Sequence, residues 1–274
     1  MVRFQYISDI HLECLKIIPK INKIAENICL LGDIGIPGSI IYSNFILECS
    51  NTFKNVFIIY GNHEYFNTNK SILENGIETM TMREEYTLNF PENVYFLNNS
   101  FVYLDKKNNN IVRALSKTDS KNNYIKIIGT TLWSNIQNDI HIRFEDYKRI
   151  YITETVKITP EYTRYLFNKN KDYIIKEISR EDIQCILMTH HGTHDLCNGK
   201  YGNNNLNSAY TTCIDQLYDI KNLSVCLNGH THSNINENIN INGNIIKLLS
   251  NCRGYPGENR EIVMYNKNAY FEMN

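Results

Sequence analysis

Five short polar clusters stand out in the 274-residue chain: Asp9-Ile10-His11, Gly32-Asp33, Gly61-Asn62-His63-Glu64, His190-His191 and Gly229-His230-Thr231-His232. Each ends an apolar run. Carboxylate, amide and imidazole groups mixed in this way suit Mn, Fe or Zn ions, and the lack of thiolate among them argues against a structural zinc centre. Asp9, His11, Asp33, Asn62, His190, His230 and His232 make seven candidate ligands, too many for one four- or five-coordinate ion. Two metals sharing the Asp33 carboxylate account for all of them, at the separation of about 3.5–4 Å usual in two-metal hydrolases. Side chains two apart on an extended segment point the same way, so Asp9 with His11, and His230 with His232, can each face one site. Gly32, Gly35, Gly61 and Gly229 flank the ligands, where the backbone must turn sharply and let a substrate come close.

The elements that would position these clusters are short runs rich in Ile, Val, Phe and Tyr. They predict strands over residues 3–8, 28–31, 56–60, 95–104, 125–129, 183–189 and 225–228. Helical patterns cover 39–53 and 69–83, so the chain starts as βαβαβ with parallel strands. Parallel strands release their carboxyl ends along one sheet edge, where ligand crevices form. Residues 134–180 are polar and rich in tyrosine, with a long helix starting near Pro160. This stretch reads as an insertion or lid on a single domain of residues 1–274, and His141 and Phe144 to Ile150 within it read as a solvated helix or loop, with a substrate lid as the alternative. The tail, residues 237–274, predicts short strands separated by Asn-Gly turns.

Composition narrows the class. A chain with 42% hydrophobic residues can bury a sizeable core, and a formal net charge of −1 with pI ≈ 6.7 provides no general basic field for nucleic acid or membrane surfaces. The N-terminus shows no secretory pattern and no apolar run is long enough to span a bilayer, so a cytoplasmic protein is expected. The eight cysteines are scattered without a CxxC pair, which reads as reduced, buried thiols. Trp133 reads as core packing. His191, His194 and Asp195 read as neighbours of the ligands, and Tyr65, Tyr201 and Tyr255 stay open as ring platforms.

Taken in order, D-x-H at Asp9 to His11, G-D-x-x-G at Gly32 to Gly35, G-N-H-E at Gly61 to Glu64, the lone His190 and G-H-T-H at Gly229 to His232 resemble the five-block signature of calcineurin-like metallophosphoesterases. The stretches GTTLWS, THHG and NCRGYPGE resemble microbial members as well. The resemblance implies an α/β fold of two mixed β-sheets packed as a sandwich flanked by helices. It implies Asp9, His11 and His232 on one metal, Asn62, His190 and His230 on a second, and Asp33 between them. His63 would be the general acid toward the leaving oxygen, a hydroxide on the metals would attack phosphorus, and Glu64 would orient His63. Here Asp33 is followed by Ile34-Gly35-Ile36-Pro37-Gly38, without the further acid and arginine of the family's protein phosphatases. A phosphodiesterase or phosphomonoesterase acting on a small molecule or nucleotide is therefore expected, with Arg253 as a clamp on substrate phosphate. The alternatives are a nuclease on single-stranded nucleic acid, whose affinity would fall steeply with salt, and a scaffold that kept the fold without the chemistry.

Overall fold

The computed structural model describes residues 1–68, 91–201, 204–258 and 265–274. The helix expected over residues 69–83 lies outside the described residues. The strands are β1 (Val2–Ile7), β2 (Asn27–Leu31), β3 (Asn55–Ile59), β4 (Val94–Phe96), β5 (Ser100–Asp105), β6 (Ile111–Val112), β7 (Tyr124–Thr130), β8 (Cys185–Thr189), β9 (Leu223–Asn228), β10 (Ile235–Ile241), β11 (Asn244–Ser250) and β12 (Tyr270–Met273). They form two mixed sheets, one ordered β12-β1-β2-β3-β4 and the other β10-β11-β9-β8-β7-β5-β6. Pairing is parallel from β1 through β4 and from β7 through β9 to β11.

The run expected as one strand over residues 95–104 is two strands, one in each sheet. Asn98 and Asn99 cause the break: Asn99 takes a left-handed φ of 48°, which an extended strand cannot continue through. Conversely, Asn242-Gly243 between β10 and β11 has φ of 53° and 84°, the signature of the tight hairpin that Asn-Gly predicts.

Continuously apolar strands need cover on both faces. In β2, Cys29 and Leu31 point into the layer between the sheets with Phe4, Phe57, Ile127, Ile186 and Val225. Ile28 and Leu30 point the other way, onto Tyr42, Phe45, Ile46 and Cys49 of helix α1 (Ile40–Thr52). Ser39 caps α1, its hydroxyl accepting from Tyr42 N–H. After α2 (Asp146–Arg149) comes α3 (Pro160–Ser179), with Thr159 as N-cap and proline at its first turn. Leu166, Phe167, Ile174 and Ile178 of α3 cover Cys185, Leu187 and Cys226 on the outer face of the second sheet.

Two expectations change here. The β1–β2 connection holds only a short 3-10 turn, Leu12–Cys14, instead of a helix. And α3 is the crossover between the parallel neighbours β7 and β8, since such a pair cannot be joined by a tight turn. All eight cysteines are free, six buried, with Cys14 and Cys213 exposed. Among the described residues no helix is long and apolar enough to cross a membrane.

Candidate metal centre

Strands β1, β2 and β3 of one sheet and β8 and β9 of the other end side by side, and the polar clusters follow them directly. Within each sheet the neighbouring loops are tied: Asp9 N–H donates to Gly32 O, His11 N–H to Asp33 O, and Gly229 N–H to His190 O, each at about 3.0 Å. The ligand atoms of Asp9, His11 and His232 lie within 4.8 Å of one another, as do those of Asp33, His190 and His230. Asn62 joins the second group through Oδ1, 3.1 Å from His190 Nε2. Asp33 Oδ1 stands 3.4 Å from the same nitrogen.

Strand alternation is not what gathers them. Asp9, His11, Asp33, His230 and His232 all take left-handed backbone, with φ of 51°, 52°, 51°, 67° and 47°, at a cost of roughly 1–2 kcal/mol for each such residue. Because His230 and His232 are not on extended chain, they do not share one site as their spacing suggests. His230 joins Asp33 and His190, whereas His232 joins Asp9 and His11. Strain of this kind persists only where the surroundings over-determine it, and here backbone amides do so. His230 N–H donates to both oxygens of Asp9 at 3.1 and 3.0 Å, and His63 N–H donates to Asp33 Oδ1 at 2.9 Å. A Cβ on Gly61 would collide with the Asp33 carboxylate and come within 2.7 Å of the His190 ring, so glycine is required there.

Three of the four ligand imidazoles have Nδ1 engaged by an acceptor. His190 Nδ1–H donates to Leu31 O at 2.8 Å, His232 Nδ1–H to Glu258 at 2.7 Å, and His11 Nδ1–H to Glu13 at 3.1 Å. Those bonds set the tautomer and leave the Nε2 lone pairs free. The lone pairs then face other lone pairs: His11 Nε2 is 3.1 Å from His232 Nε2, His232 Nε2 is 3.3 Å from Asp9 Oδ1, and His190 Nε2 faces Asn62 and Asp33 oxygens. Acceptors aimed at acceptors repel unless cations stand between them. The donor set, hard oxygen plus imidazole, fits divalent transition-metal ions.

Electrostatics follow the same division. Burial works against the charged form of Asp9 and Asp33, yet the surrounding histidines hold both well below the usual carboxylate range. Burial alone would lower His190 and His232, but the adjacent carboxylates push them up to about 9 and about 10, so without metal the Nε2 that faces each carboxylate holds a proton that a bound cation would displace. For His230 and His191 burial and the neighbouring imidazoles outweigh the pull of Asp33 and Asp9 and keep them neutral, His191 at about 3.

His63 stays outside these two groups and clusters instead with His11 and Glu13, its Nε2 3.8 Å from Asp33 Oδ2. Its Nδ1–H donates to Glu13 at 3.0 Å, and Phe66 packs against it with ring centres 4.2 Å apart. Burial opposes its charged form; Asp33 and Glu13 outweigh that and raise it to about 9. The expectation that Glu64 orients His63 is corrected. The Glu64 carboxylate turns under the loop and accepts from Asp33, Ile34 and Gly61 N–H at 2.9, 2.7 and 2.8 Å. A three-residue 3-10 turn, His63–Tyr65, throws adjacent side chains to different sides. Arg253 is also displaced from its expected place: it does not line the cavity, and its guanidinium reaches Ile10 O at 3.5 Å.

Sequence reasoning missed three acids. Glu13 bridges His11 and His63, Glu258 holds His232, and Asp146 accepts from Asn62 Nδ2 at 2.8 Å, turning the amide oxygen toward His190. The D-x-H-x-E spacing could have flagged Glu13, two residues beyond His11. Nothing local flags Asp146, 84 residues from Asn62. Trp133 is buried beside Tyr65, as expected of a core residue. Tyr255 stacks on His11, ring centres 4.1 Å apart, with its hydroxyl 3.1 Å from His63 Nε2. Above the ligands opens a cavity of about 760 Å³, walled on one side by residues 143–149.

A sequence model of the calcineurin-like phosphoesterases matches residues 2–234. An uncharacterized protein of Acanthamoeba polyphaga mimivirus is 29% identical over 304 residues, covering 98% of this chain and 96% of that protein. The phosphopantetheinyl hydrolase of Mycobacterium tuberculosis shares the fold, with a TM-score of 0.60 at 13% identity over 92% of this chain and 89% of its own. A putative 5′-nucleotidase from Staphylococcus aureus gives a TM-score of 0.45 at 13% identity, over 93% of this chain and 48% of that one. The matched residues run from the first strand past the last histidine pair, so the chain belongs to the calcineurin-like phosphoesterase family and is a metal-dependent hydrolase of phosphoric esters.

Proposed function

We propose that the enzyme hydrolyses phosphodiesters or phosphomonoesters of small molecules, nucleotides among them, at a dinuclear centre. Asp9, His11 and His232 would hold one cation, Asn62, His190 and His230 the other, and Asp33 both. The observation that carries this reading is the confrontation of free lone pairs in two adjoining groups, three ligand atoms within 4.8 Å in each.

When bound, two divalent cations supply Lewis acidity, activating water and neutralising the phosphoryl oxygens. The chain's own groups do the rest. His63 keeps Nδ1–H on Glu13, so Nε2 is the nitrogen turned to the substrate, and it hands its proton to the departing oxygen. Glu13 is a positioning residue: it fixes the ring and favours the imidazolium that a general acid must be. Phe66 backs the ring and limits its rotation.

The cavity supports a small substrate over a polymer. Its volume of about 760 Å³ lies in the range of small-molecule sites. Five acids, Glu13, Asp33, Glu145, Asp146 and Glu258, line it against two arginines, Arg143 and Arg149, which makes no continuous positive track of the kind a nuclease offers a nucleic-acid backbone.

The test is turnover after reconstitution with Mn, Fe or Zn. The substrates are bis(4-nitrophenyl) phosphate, 4-nitrophenyl phosphate, cyclic and linear nucleotides, and single-stranded DNA. Hydrolysis of a small ester that vanishes in Asp33→Asn is expected. Turnover confined to the polymer, or turnover equal in Asp33→Asn, sinks the reading.

A further inference from the structure

Charge on the cavity wall is unevenly spent. Of the acids that line the cavity, Glu13 is engaged by His11 and His63, Asp146 by Asn62, Glu145 by Lys148 at 2.7 Å, and Glu258 by His232. Two arginines line the same cavity, Arg143 and Arg149. Among the described residues neither guanidinium makes a hydrogen bond or an ion pair with a carboxylate. Arg143 is exposed at the end of the 3-10 segment Asn138–Arg143.

Arg149 is held in place by its backbone and by stacking. Asn67 N–H donates to Arg149 O at 2.7 Å, and Phe66 bridges to Ile150. The Arg149 guanidinium sits 4.5 Å from the centre of the Phe66 ring, whose other neighbour is His63 at 4.2 Å. One aromatic side chain therefore separates a fixed cation from the acid that faces the leaving group. A guanidinium stacked on a ring keeps its in-plane N–H fork free for a phosphate or carboxylate.

We propose that Arg143 and Arg149 form a second anion subsite, and that the physiological substrate is a small phosphoester carrying a further phosphate or carboxylate beyond the one that is hydrolysed. The proposal rests on the phosphoester reading of the cavity floor. It gives the wall a job the metal ligands cannot do, since they grip the reacting phosphate whatever it is attached to. It also explains how a chain of net charge −1 would select a dianionic small molecule: by two local cations in place of a broad field.

The experiment uses non-hydrolysable probes on the metal-reconstituted full chain. Binding of alkylene bisphosphonates with two, four and six methylenes is measured by calorimetry beside the alkylphosphonates of equal length. At the length that spans floor and wall, the bisphosphonate should bind at least about tenfold more tightly than its monophosphonate, the scale of a charge-assisted pair. Arg143→Met/Arg149→Met should reduce that ratio to near one with the melting temperature held. Should the double variant misfold, Arg143→Met alone, at an exposed position, should still cut the ratio by several-fold. Equal affinities at every length, or a gap that survives the variants, overturn the subsite. Failure of both probe classes to bind at all would instead strike the phosphoester reading beneath it.

Discussion

The floor of the cavity and its wall are made from different materials. The floor is seven side chains released from the ends of five strands in two sheets, most of them buried, several on left-handed backbone, with carboxylates clamped by main-chain amides. The wall, residues 143–149, is a string of short turns bearing exposed or half-buried side chains, joined to the floor mainly through Asp146 and the Phe66 bridge. The floor is preorganised and, on the proposed reading, chemically committed, since its geometry is costly and would aim lone pairs at cations. The wall is cheap to vary and sits where it can sort substrates. Reaction class should therefore depend on the first and substrate choice on the second.

The sharpest way to break that contrast is to strike the floor at its shared carboxylate. Asp33→Asn keeps the shape but removes the charge between the two ligand groups, and should lower kcat/KM by about 10³-fold or more, the scale of several kcal/mol of transition-state stabilisation. A stability readout accompanies it. Metal at a hundredfold excess over its Kd stabilises by about 2.7 kcal/mol, or roughly 5–10 °C in Tm for a chain of this size. Chelation should erase that increment in the parent, and Asp33→Asn should show little of it. A variant that melts and turns over like the parent would mean that Asp33 holds no metal.

His63 comes next, because it touches the reaction without building the floor. His63→Ala should cost about 10²–10⁴-fold on an ester with a poor leaving group and far less on a 4-nitrophenyl ester, which needs little protonation. Glu13→Gln should reproduce part of that leaving-group dependence. Glu64→Gln should not. Its carboxylate satisfies three backbone N–H groups in the loop, so its loss should appear as roughly 1–3 kcal/mol of stability. If the two glutamates exchanged these signatures, Glu13 would not be the partner of His63.

How much of this was legible follows the same division. Asp9, His11, Asp33, Asn62, His190, His230 and His232 could be read because an apolar run ending in a polar cluster is a local pattern, and parallel strands deliver such ends to one edge. Their separation into two groups could not be read from spacing, because it depends on left-handed turns at His230 and His232 that nothing local announces. The helices at Ser39 and Pro160 were legible from periodicity, whereas the sandwich was legible only through the resemblance carried by the five motifs. The sheet change at Asn98-Asn99 was hidden inside one apolar run. Glu64 misled because adjacency in sequence suggests contact, whereas the 3-10 turn parts it from His63.

Asp146 is where the wall reaches down to the floor, and its effect should be intermediate. Asp146→Asn would let the amide of Asn62 rotate away from His190, and loss of a group that orients a ligand typically costs 10–100-fold in metal affinity. Titrating the chelated protein with Mn would read this directly, and saturating metal should restore most of the turnover. A defect that metal cannot rescue would place Asp146 on the substrate instead.

Arg253 should matter least, and for a reason that separates the wall from the tail of the chain. Its backbone N–H pairs with Ser8 O and its guanidinium turns to Ile10 O, beneath the loop that carries Asp9 and His11. From there it can steady that loop, and it is not among the residues that line the cavity with Arg143 and Arg149. Arg253→Ala should therefore change KM by less than about threefold, since a guanidinium in direct contact with substrate phosphate would contribute about 1.5–3 kcal/mol, more than tenfold. A KM rise of that larger size, for an ester with a single phosphate, would move the cationic clamp from the wall to the tail.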